Sequence, residues 1–435
     1  MSGSYRLGIA GLGTVGIGVV KMVQQHGDVL AARAGQGIEI TAVSARDASK
    51  DRGADLSAYA WVDDARDLAA RDDVDCVLEL IGGSEGLALD LVRAALSAGK
   101  DVVTANKALL AHHGAELAAL AEGNDASLLY EAAVAGGIPI IKALREGFAG
   151  NEIQAVFGIL NGTSNYMMTA MRETGRDFSD ILQEAQDLGY AEADPSFDVD
   201  GDDAGHKLAL LSAIAFGVKP DFDALKNTGA MVGIRGITAV DISLATELGY
   251  RIKLLGIARR IGDKVMQILQ PCLVPAGSKI GGVEGVFNAV QVEGDYVDAG
   301  LLVGRGAGEG PTASSVMSDV LDLARGIRVP TFGVPAADLR DPEWIDLGEV
   351  VSRYYLRLHV LDQAGVIADI TAALRDHNVS IESFIQHGRD PGQKVALVMT
   401  THEARHADIA AACEIIQAHD SVSGEPCLIR IEELD

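Results

Sequence analysis

The chain has 435 residues, 48% of them apolar, and carries 62 acidic against 36 basic side chains, a formal charge of −26. That length predicts two or three domains with substantial cores, and the acidic balance excludes nucleic acid and anionic membranes as partners, both of which reward Lys/Arg patches. The four cysteines, Cys76, Cys272, Cys413 and Cys427, show no paired spacing, so neither a disulfide framework nor a zinc site is indicated. No apolar run reaches membrane-spanning length and no signal peptide opens the chain, so a soluble, cytoplasmic protein is expected.

Residues 1–150 alternate short β-rich runs with helical periodicity. Arg6–Ala10, Ile38–Val43, Val74–Ile81, Asp101–Thr104 and Ser127–Glu131 read as strands, and Val15–Gln25, Gly86–Ala98 and Lys107–Glu122 as helices. Such alternation predicts a Rossmann-type, doubly wound parallel sheet. Its first turn, Gly11-Leu-Gly13-Thr-Val-Gly16, follows a strand and opens a helix, the context a dinucleotide fingerprint requires. An NAD-specific site expects an acid near the end of the second strand. Here Ser44, Ala45 and Arg46 stand there, with Lys50 close by. A guanidinium suits the 2′-phosphate of NADP, Asp47 keeps NAD open, and Arg46 also reads as an ordinary loop charge.

From Asn151 the pattern becomes that of a mixed α+β domain, 151–310. Ile153–Ile159 is strand-like, Ser179 caps a helix Asp180–Leu188 that Gly189 ends, and Asp203–Phe216 is helical. Lys264–Val274 and Phe287–Val303 read as long strands, and the glycine-rich run from Gly304 to Pro311 opens a helix reaching about Arg325. That helix, 311–327, is expected to return to the nucleotide domain. The stretch 328–349, with Pro330, Pro335 and Pro342, reads as a linker. Beyond it, 350–435 reads as a ferredoxin-like βαββαβ unit: strand Arg353–Val360, helix Val366–His377, strands near Val379–His387 and Val395–Thr401, helix Ala404–Ala418, and strand Pro426–Ile431.

The run Gly189–Lys207 packs six carboxylates into nineteen residues. Asp198-Val-Asp200-Gly201 imitates the middle of a calcium loop, but Ser196 and Lys207 occupy the first and the bidentate ligand positions, which excludes calcium. Asp203 and Lys207 are four residues apart on one helical face with Leu211 and Ile214, so the lysine faces inward beside a carboxylate. Thr104-Ala-Asn106-Lys107 lies at the C-terminal end of a parallel strand, where ligand crevices open. Two lysines converging on a carbonyl suit proton transfer. Read alone, Lys107 also fits a surface helix start, and Asp203–Lys207 an ordinary ion pair.

GLGTVG (11–16), TANK (104–107), YEAAVAGGIPI (130–140), NGTSNY (161–166), LGYAEADPSFDVDGDDAGHK (188–207) and GRGAGEGPTAS (304–314) together resemble the bacterial homoserine dehydrogenases that carry a C-terminal ACT domain. The resemblance implies reversible NAD- or NADP-dependent interconversion of L-homoserine and L-aspartate 4-semialdehyde, in threonine and methionine biosynthesis. It makes 151–310 the mixed α+β substrate and dimerisation domain and Lys207 the proton donor and acceptor, and it sets Lys107 at the cofactor–substrate junction. Glu192, Asp203, Asp198, Tyr190 and Thr163 then bind substrate. Gly11, Leu12, Gly13, Thr14, Val15, Gly16, Arg46, Thr104, Lys107, Gly189 and Gly308 then bind cofactor. Glu131, Val134, Gly136 and Ile138 match the family's sodium loop, and Asp194, Asp200 and Asp202 are left as caps and solvated charges. The ACT-like unit implies an amino-acid ligand, threonine, at Asp362–Gly365, in a homodimer or homotetramer, or else a pure dimerisation module. Aspartate-semialdehyde dehydrogenase, the nearest rival enzyme, needs a nucleophilic cysteine, and Cys76 and Cys272 sit in buried-looking strands. A catalytically silent amino-acid sensor is the other alternative, and retention of Lys107, Asp203 and Lys207 argues against it.

Overall fold

A computed structural model of the chain describes residues 3–386 and 393–434. The N-terminal unit runs β1 (Tyr5–Ala10), α1 (Thr14–Ala34), β2 (Ile38–Ser44), β3 (Ala60–Trp61), β4 (Cys76–Glu79), α2 (Leu87–Ser97), β5 (Asp101–Thr104), α3 (Lys107–Gly123) and β6 (Leu128–Leu129). The six strands form one parallel sheet in the order β3-β2-β1-β4-β5-β6. Their short runs are apolar on both faces because helices cover both. The order in which strands are added reverses between β1 and β4, and ligands of such sheets bind at that switch point. The first helix is longer than its periodicity indicates: a non-helical step at His26 lets it resume and run to Gly35, whose φ of 75° ends it.

The middle region runs α4 (Ile140–Lys142), β7 (Ile153–Ile159), α5 (Gly162–Thr174), α6 (Phe178–Asp187), α7 (Ser196–Val199), α8 (Asp202–Phe216), α9 (Phe222–Asn227), α10 (Ala239–Glu247), β8 (Tyr250–Ile261), β9 (Lys264–Pro275), β10 (Phe287–Gly294), β11 (Asp298–Arg305) and α11 (Glu309–Ala324). Three sequence readings are corrected here. Phe287–Val303 is a hairpin, with Asp298 in the left-handed region at φ 62° just past the turn. The strand β8 has no counterpart in the sequence reading, although it pairs with β9 along its whole length. Asp177, not Ser179, stands at the N-cap of α6, and its side chain makes no capping bond.

After the middle sheet the chain returns to the nucleotide unit, where α11 packs on α1. A Cβ on Gly18 would come within 2.9 Å of Glu309, so glycine there permits the close approach. Lys21 and Glu309 pair across the same contact at 2.9 Å. One face of the parallel sheet is thus covered by α1 and α11, the other by α2 and α3.

The C-terminal unit is β12 (Val351–Leu361), α12 (Val366–Asp376), β13 (Ile381–Gln386), β14 (Lys394–Thr401), β15 (Ala404–Arg405), α13 (His406–Gln417) and β16 (Cys427–Ile431). His387, expected to end β13, lies outside the described residues. The order β16-β12-β14-β13 is that of a ferredoxin-like sheet, and it is not a separate body. Arg430 and Ile431 of β16 pair in parallel with Cys272 and Leu273 of β9, so one sheet runs β11-β10-β7-β8-β9-β16-β12-β14-β13. The expected linker is pinned as well: Ile345 donates to Val265, and Trp344 Nε1 donates to Asp221 at 2.9 Å.

Under this junction lies a buried ion pair. Arg357 of β12 grips Asp241 of α10 through Nε at 2.6 Å and Nη2 at 3.1 Å, and Tyr355 donates its hydroxyl to the same carboxylate. Asp241 is fully buried and also completes a capping box with Thr238. Removing one partner strands a buried charge, so Arg357→Leu is expected to destabilise the protein by about 3–5 kcal/mol. Arg357→Leu combined with Asp241→Leu should recover most of that, because neither charge remains. Denaturant unfolding of the two variants checks this, and a double variant no more stable than the single one would contradict it.

Candidate active site

The glycine turn after β1 is shaped by contact. Gly11 has φ 99°, and a Cβ there would sit 2.4 Å from the Leu80 carbonyl oxygen; a Cβ on Gly16 would sit 1.9 Å from that of Gly11. Gly13, at the N-cap of α1, has nothing within 4 Å of its would-be Cβ and no side chain capping the helix. The first amides of α1 therefore face open space with their partial positive charge, which fits a dinucleotide's pyrophosphate. Leu12 is buried behind the turn, while Thr14 is exposed at the first helical position.

From this turn a cleft of about 880 Å³ runs past Gly11, Leu12 and Gly13 to Arg46, Lys50, Arg52 and Arg66. Arg66 is spent on Asp64, and Arg52 on the carbonyls of Asp47 and Lys50. The Asp47 carboxylate turns to the amide and hydroxyl of its neighbour Ser49 at 2.8 and 2.7 Å. Arg46 is exposed on this wall, and its guanidinium makes no hydrogen bond or ion pair among the described residues.

A second cleft, about 620 Å³, opens between the nucleotide unit and the middle region. It gathers Val15, Lys107, Gly136, Thr163, Gly189, Tyr190, Glu192, Asp198, Asp203, Lys207 and Gly308, eleven of the residues singled out by sequence. Its floor is α8. Lys207 is buried there and donates to the Leu160 carbonyl at 2.7 Å and to Asp203 Oδ2 at 2.8 Å. Lys107 Nζ, arriving from the other unit, lies 3.2 Å from Asp203 Oδ1. Asn161, at the end of β7, caps α5 through Ser164 and donates its amide to both Asp198 at 2.7 Å and Asp203 at 2.8 Å. Asp203 thus holds two ammonium groups and one amide. Burial by itself raises its pKa, but the charges of Lys207 and Lys107 prevail and hold it well below the usual carboxylate range. Lys207 moves down, because the desolvation of its ammonium, helped by repulsion from Lys107, outweighs the pull of Asp203. Asp198 is pushed up by burial, offset in part by the Asn161 bond and reinforced by Asp203.

At the rim, Thr163 donates to the Tyr190 carbonyl at 2.8 Å, and the Glu192 carboxylate stands exposed with no partner among the described residues. Gly189 (φ 75°) and Gly308 (φ 126°) make the sharp turns of two edges. Several expected site residues line neither cleft: Thr14 and Gly16 in the first turn of α1, Thr104, and Glu131, Val134 and Ile138 of the 131–138 loop. Thr104 is fully buried; it donates to Glu79 Oε2 at 2.6 Å and accepts from the Asn106 amide at 2.9 Å. Its role is a strut, since Asn106 in turn caps α3 and so places Lys107.

The other acids of the run are spent locally, as expected: Asp194 caps Ser196, Asp200 pairs with Arg235, and Asp202 with Lys226. No group of three or more His, Cys, Asp or Glu able to hold a metal occurs among the described residues. In the 131–138 loop, the Glu131 carboxylate accepts from the amides of Ile141 and Lys142. The Gly136 carbonyl accepts from Ser315, and that of Ile138 from the Ile140 amide. Cys76 and Cys272 are wholly buried with their thiols pushed far up by desolvation, so neither is a nucleophile. Cys413 and Cys427 are each pushed up to about 12 by burial, in the C-terminal unit. Sequence reasoning missed Asn161, Asn106 and the Leu160 carbonyl. The first two stand just before helices, and that capping position was a signal available in the sequence.

Residues 11–131 match the family profile described as homoserine dehydrogenase, NAD binding domain; residues 139–321 match homoserine dehydrogenase; residues 354–420 match the ACT domain. The homoserine dehydrogenase of Neisseria gonorrhoeae is 44% identical over 98% of both chains, and that of Pseudomonas aeruginosa 42% over 99% of both. A crystal structure of a homoserine dehydrogenase from Thiobacillus denitrificans, 41% identical, superposes over 100% of both chains with a TM-score of 0.93. Among the described residues, no helix is long and apolar enough to cross a membrane. With both domain profiles, full-length relatives and the two-lysine cleft in agreement, the chain belongs to the homoserine dehydrogenase family, NAD-binding oxidoreductases that here carry an ACT domain.

Proposed function

We propose that Lys207 gives its proton to the aldehyde oxygen of L-aspartate 4-semialdehyde and recovers it from the hydroxyl of L-homoserine. The observation that carries this reading is the single Asp203 carboxylate held between Lys207 at 2.8 Å and Lys107 at 3.2 Å. An ammonium has three N–H donors; two of Lys207's go to Leu160 and Asp203, which leaves one for substrate. Burial makes that proton easier to release, as a group that must act as both acid and base requires. Held by the glycine turn of Gly11–Gly16, a nicotinamide dinucleotide would supply or accept the hydride. Lys107 lines the same cleft from the nucleotide unit and orients the reacting oxygen. Asp203 acts through the lysines, and the substrate ammonium falls to Glu192 and Asp198.

In this reading residues 1–150 with α11 carry the cofactor, 151–310 the substrate and 350–435 regulation. Arg46, whose guanidinium is uncommitted, favours NADP over NAD. Threonine is the ligand we assign to the turn Asp362–Gly365, where Gly365 (φ 99°) starts α12; turnover assayed with and without threonine decides between a sensor and a silent dimerisation module. A sodium ion on Glu131, Val134, Gly136 and Ile138 is proposed from the resemblance and from a donor set of oxygens alone. No reaction step passes through it, and replacing sodium by a tetraalkylammonium ion tests the requirement. The edge strand β11, with Val303 exposed beside half-buried Leu301 and Leu302, favours a homo-oligomer, which sedimentation measures. We place the enzyme in the cytoplasm, in threonine and methionine biosynthesis; fractionation of cells and amino-acid auxotrophy of a deletion strain test these two points.

Lys207→Ala is expected to bind NADPH normally by fluorescence titration and to lose about 10²–10⁴-fold in turnover or more. Retention of more than about a tenth of the activity would remove the lysine from the proton-transfer step.

Homoserine oxidation needs Lys207 neutral and semialdehyde reduction needs it protonated. Oxidation is therefore expected to rise with pH, and reduction to fall, through a value below the ordinary lysine range. Asp203→Asn removes the charge that pulls this pKa up, so both limbs should move to lower pH. Profiles unmoved by that substitution would assign the titration to another group.

Arg46→Ala should raise KM for NADP over that for NAD by about 10–150-fold, the worth of a charge-assisted contact. Equal effects on the two cofactors would make Arg46 a plain loop charge.

A further inference from the structure

In the wall of the substrate cleft sits a side chain that nothing above employs. Asn288, at the start of β10, is 1% exposed, and neither its Nδ2 nor its Oδ1 has a hydrogen-bond partner among the described residues. A primary amide in that state bears the full desolvation penalty of both groups with no compensation. Its surroundings are built for it. A Cβ on Gly306 would lie 2.2 Å from the amide, and one on Gly162 would lie 3.5 Å from Oδ1. Asn288 is therefore packed between the glycine-rich 304–310 loop and the first turn of α5, and lines the same cleft as Lys207, Asp198 and Glu192. The amide lies just under the surface, with the Gly306 backbone as a thin cover.

An amino-acid substrate brings three polar ends to this cleft. The reacting oxygen goes to Lys207 and the ammonium to Glu192 and Asp198. The carboxylate remains, and it enters a wall already lined by Glu192, Asp198 and Asp203. It needs donors that carry no acid of their own. The α5 end offers the amides of Gly162 and Thr163, which have no intrahelical acceptor, beside an end of the helix dipole that favours negative charge. The orphaned amide of Asn288 stands against that same turn. Arg305 lines the cleft too, but at an exposed position where water screens it.

We propose that Asn288 is a specificity-determining residue that donates Nδ2–H to the substrate carboxylate at the N-terminus of α5, so that the cleft takes α-amino acids in preference to amino alcohols. A slight shift of the 304–310 loop exposes the amide, its glycines allow that movement, and a half-turn of the unpartnered amide about χ2 brings Nδ2 to the α5 side where Oδ1 now stands. The proposal rests on the placement of the ammonium at Glu192 given above.

The test compares L-homoserine with 3-aminopropan-1-ol, which keeps the ammonium and hydroxyl but lacks the carboxylate. Their apparent affinities, from KM and from competitive inhibition, are measured in wild type, Asn288→Ala and the isosteric Asn288→Asp, with NADP KM alongside. Asn288→Ala should weaken homoserine about 10–100-fold, and Asn288→Asp at least as much, while 3-aminopropan-1-ol and NADP change by less than about twofold. Unchanged homoserine affinity, equal loss for both ligands, or loss confined to NADP would each overturn the proposal. If Asn288→Ala does not fold, Asn288→Asp, which keeps the shape, decides the matter by the same comparison. Glu192→Gln serves as the control: it should weaken both ligands, and if it weakens neither, the ammonium placement fails whatever Asn288 does.

Discussion

A carboxylate taken out of water and shared between two ammonium groups from different parts of the chain is the constraint on which the rest of this molecule depends. Alone, Asp203 would be expelled or protonated at its depth, and burial drives the Lys207 ammonium toward its neutral form. Together they leave one net positive charge at the floor of a cleft, where an oxygen can share it. The arrangement demands that α8 be buried nearly throughout, so that Lys207 cannot turn to solvent. It demands equally that α3 begin at a fixed place, so that Lys107 reaches across. A chain of hydrogen bonds supplies that: Glu79 fixes the loop after β4 through the amides of Ile81 and Gly82, Thr104 joins Glu79 to Asn106, and Asn106 caps α3. The two units are held in register by α11, which leaves the middle region to pack on α1.

Much of this was legible in the sequence where physics acts locally. The glycine turn, the inward Asp203–Lys207 face and the failed calcium spacing each follow from periodicity or a few neighbouring residues, and the first two stand in the structure where that reasoning puts them. What escaped was set at a distance. The strand β8 carries Arg251, Lys253, Arg259 and Arg260 among its apolar residues, which obscured its alternation. In the fold Lys253 is buried beside Glu284, and Arg259 reaches Glu432, partners 31 and 173 residues away. The hairpin between β10 and β11 turns on Asp298, an aspartate in a left-handed conformation where a glycine would have announced itself. Thr104 lies in the motif that places Lys107, yet its hydroxyl faces inward to Glu79. Asn288 belongs to none of the recognised motifs; its unpaired amide shows only once the surrounding walls are in place.

Continuity of the second sheet changes how the C-terminal unit relates to catalysis. A tethered module would act by docking and release. Here β16 hydrogen-bonds to β9, Arg357 is locked to Asp241 at the foot of α10, and α10 packs on α5, whose first turn edges the substrate cleft. A shift in the strands of that unit moves a buried, hydrogen-bonded carboxylate, not a flexible string.

The pairing of β16 with β9 also orders events in the life of the chain. The strand that covers the Cys272–Leu273 end of β9 lies far downstream of it, so until β16 has been made that end lacks its strand partner and two apolar residues lie open. Exposed strand edges recruit one another, and nascent multidomain chains dwell in such states. A chain broken before Cys427 would therefore keep its glycine turn and both lysines but carry an adhesive flank.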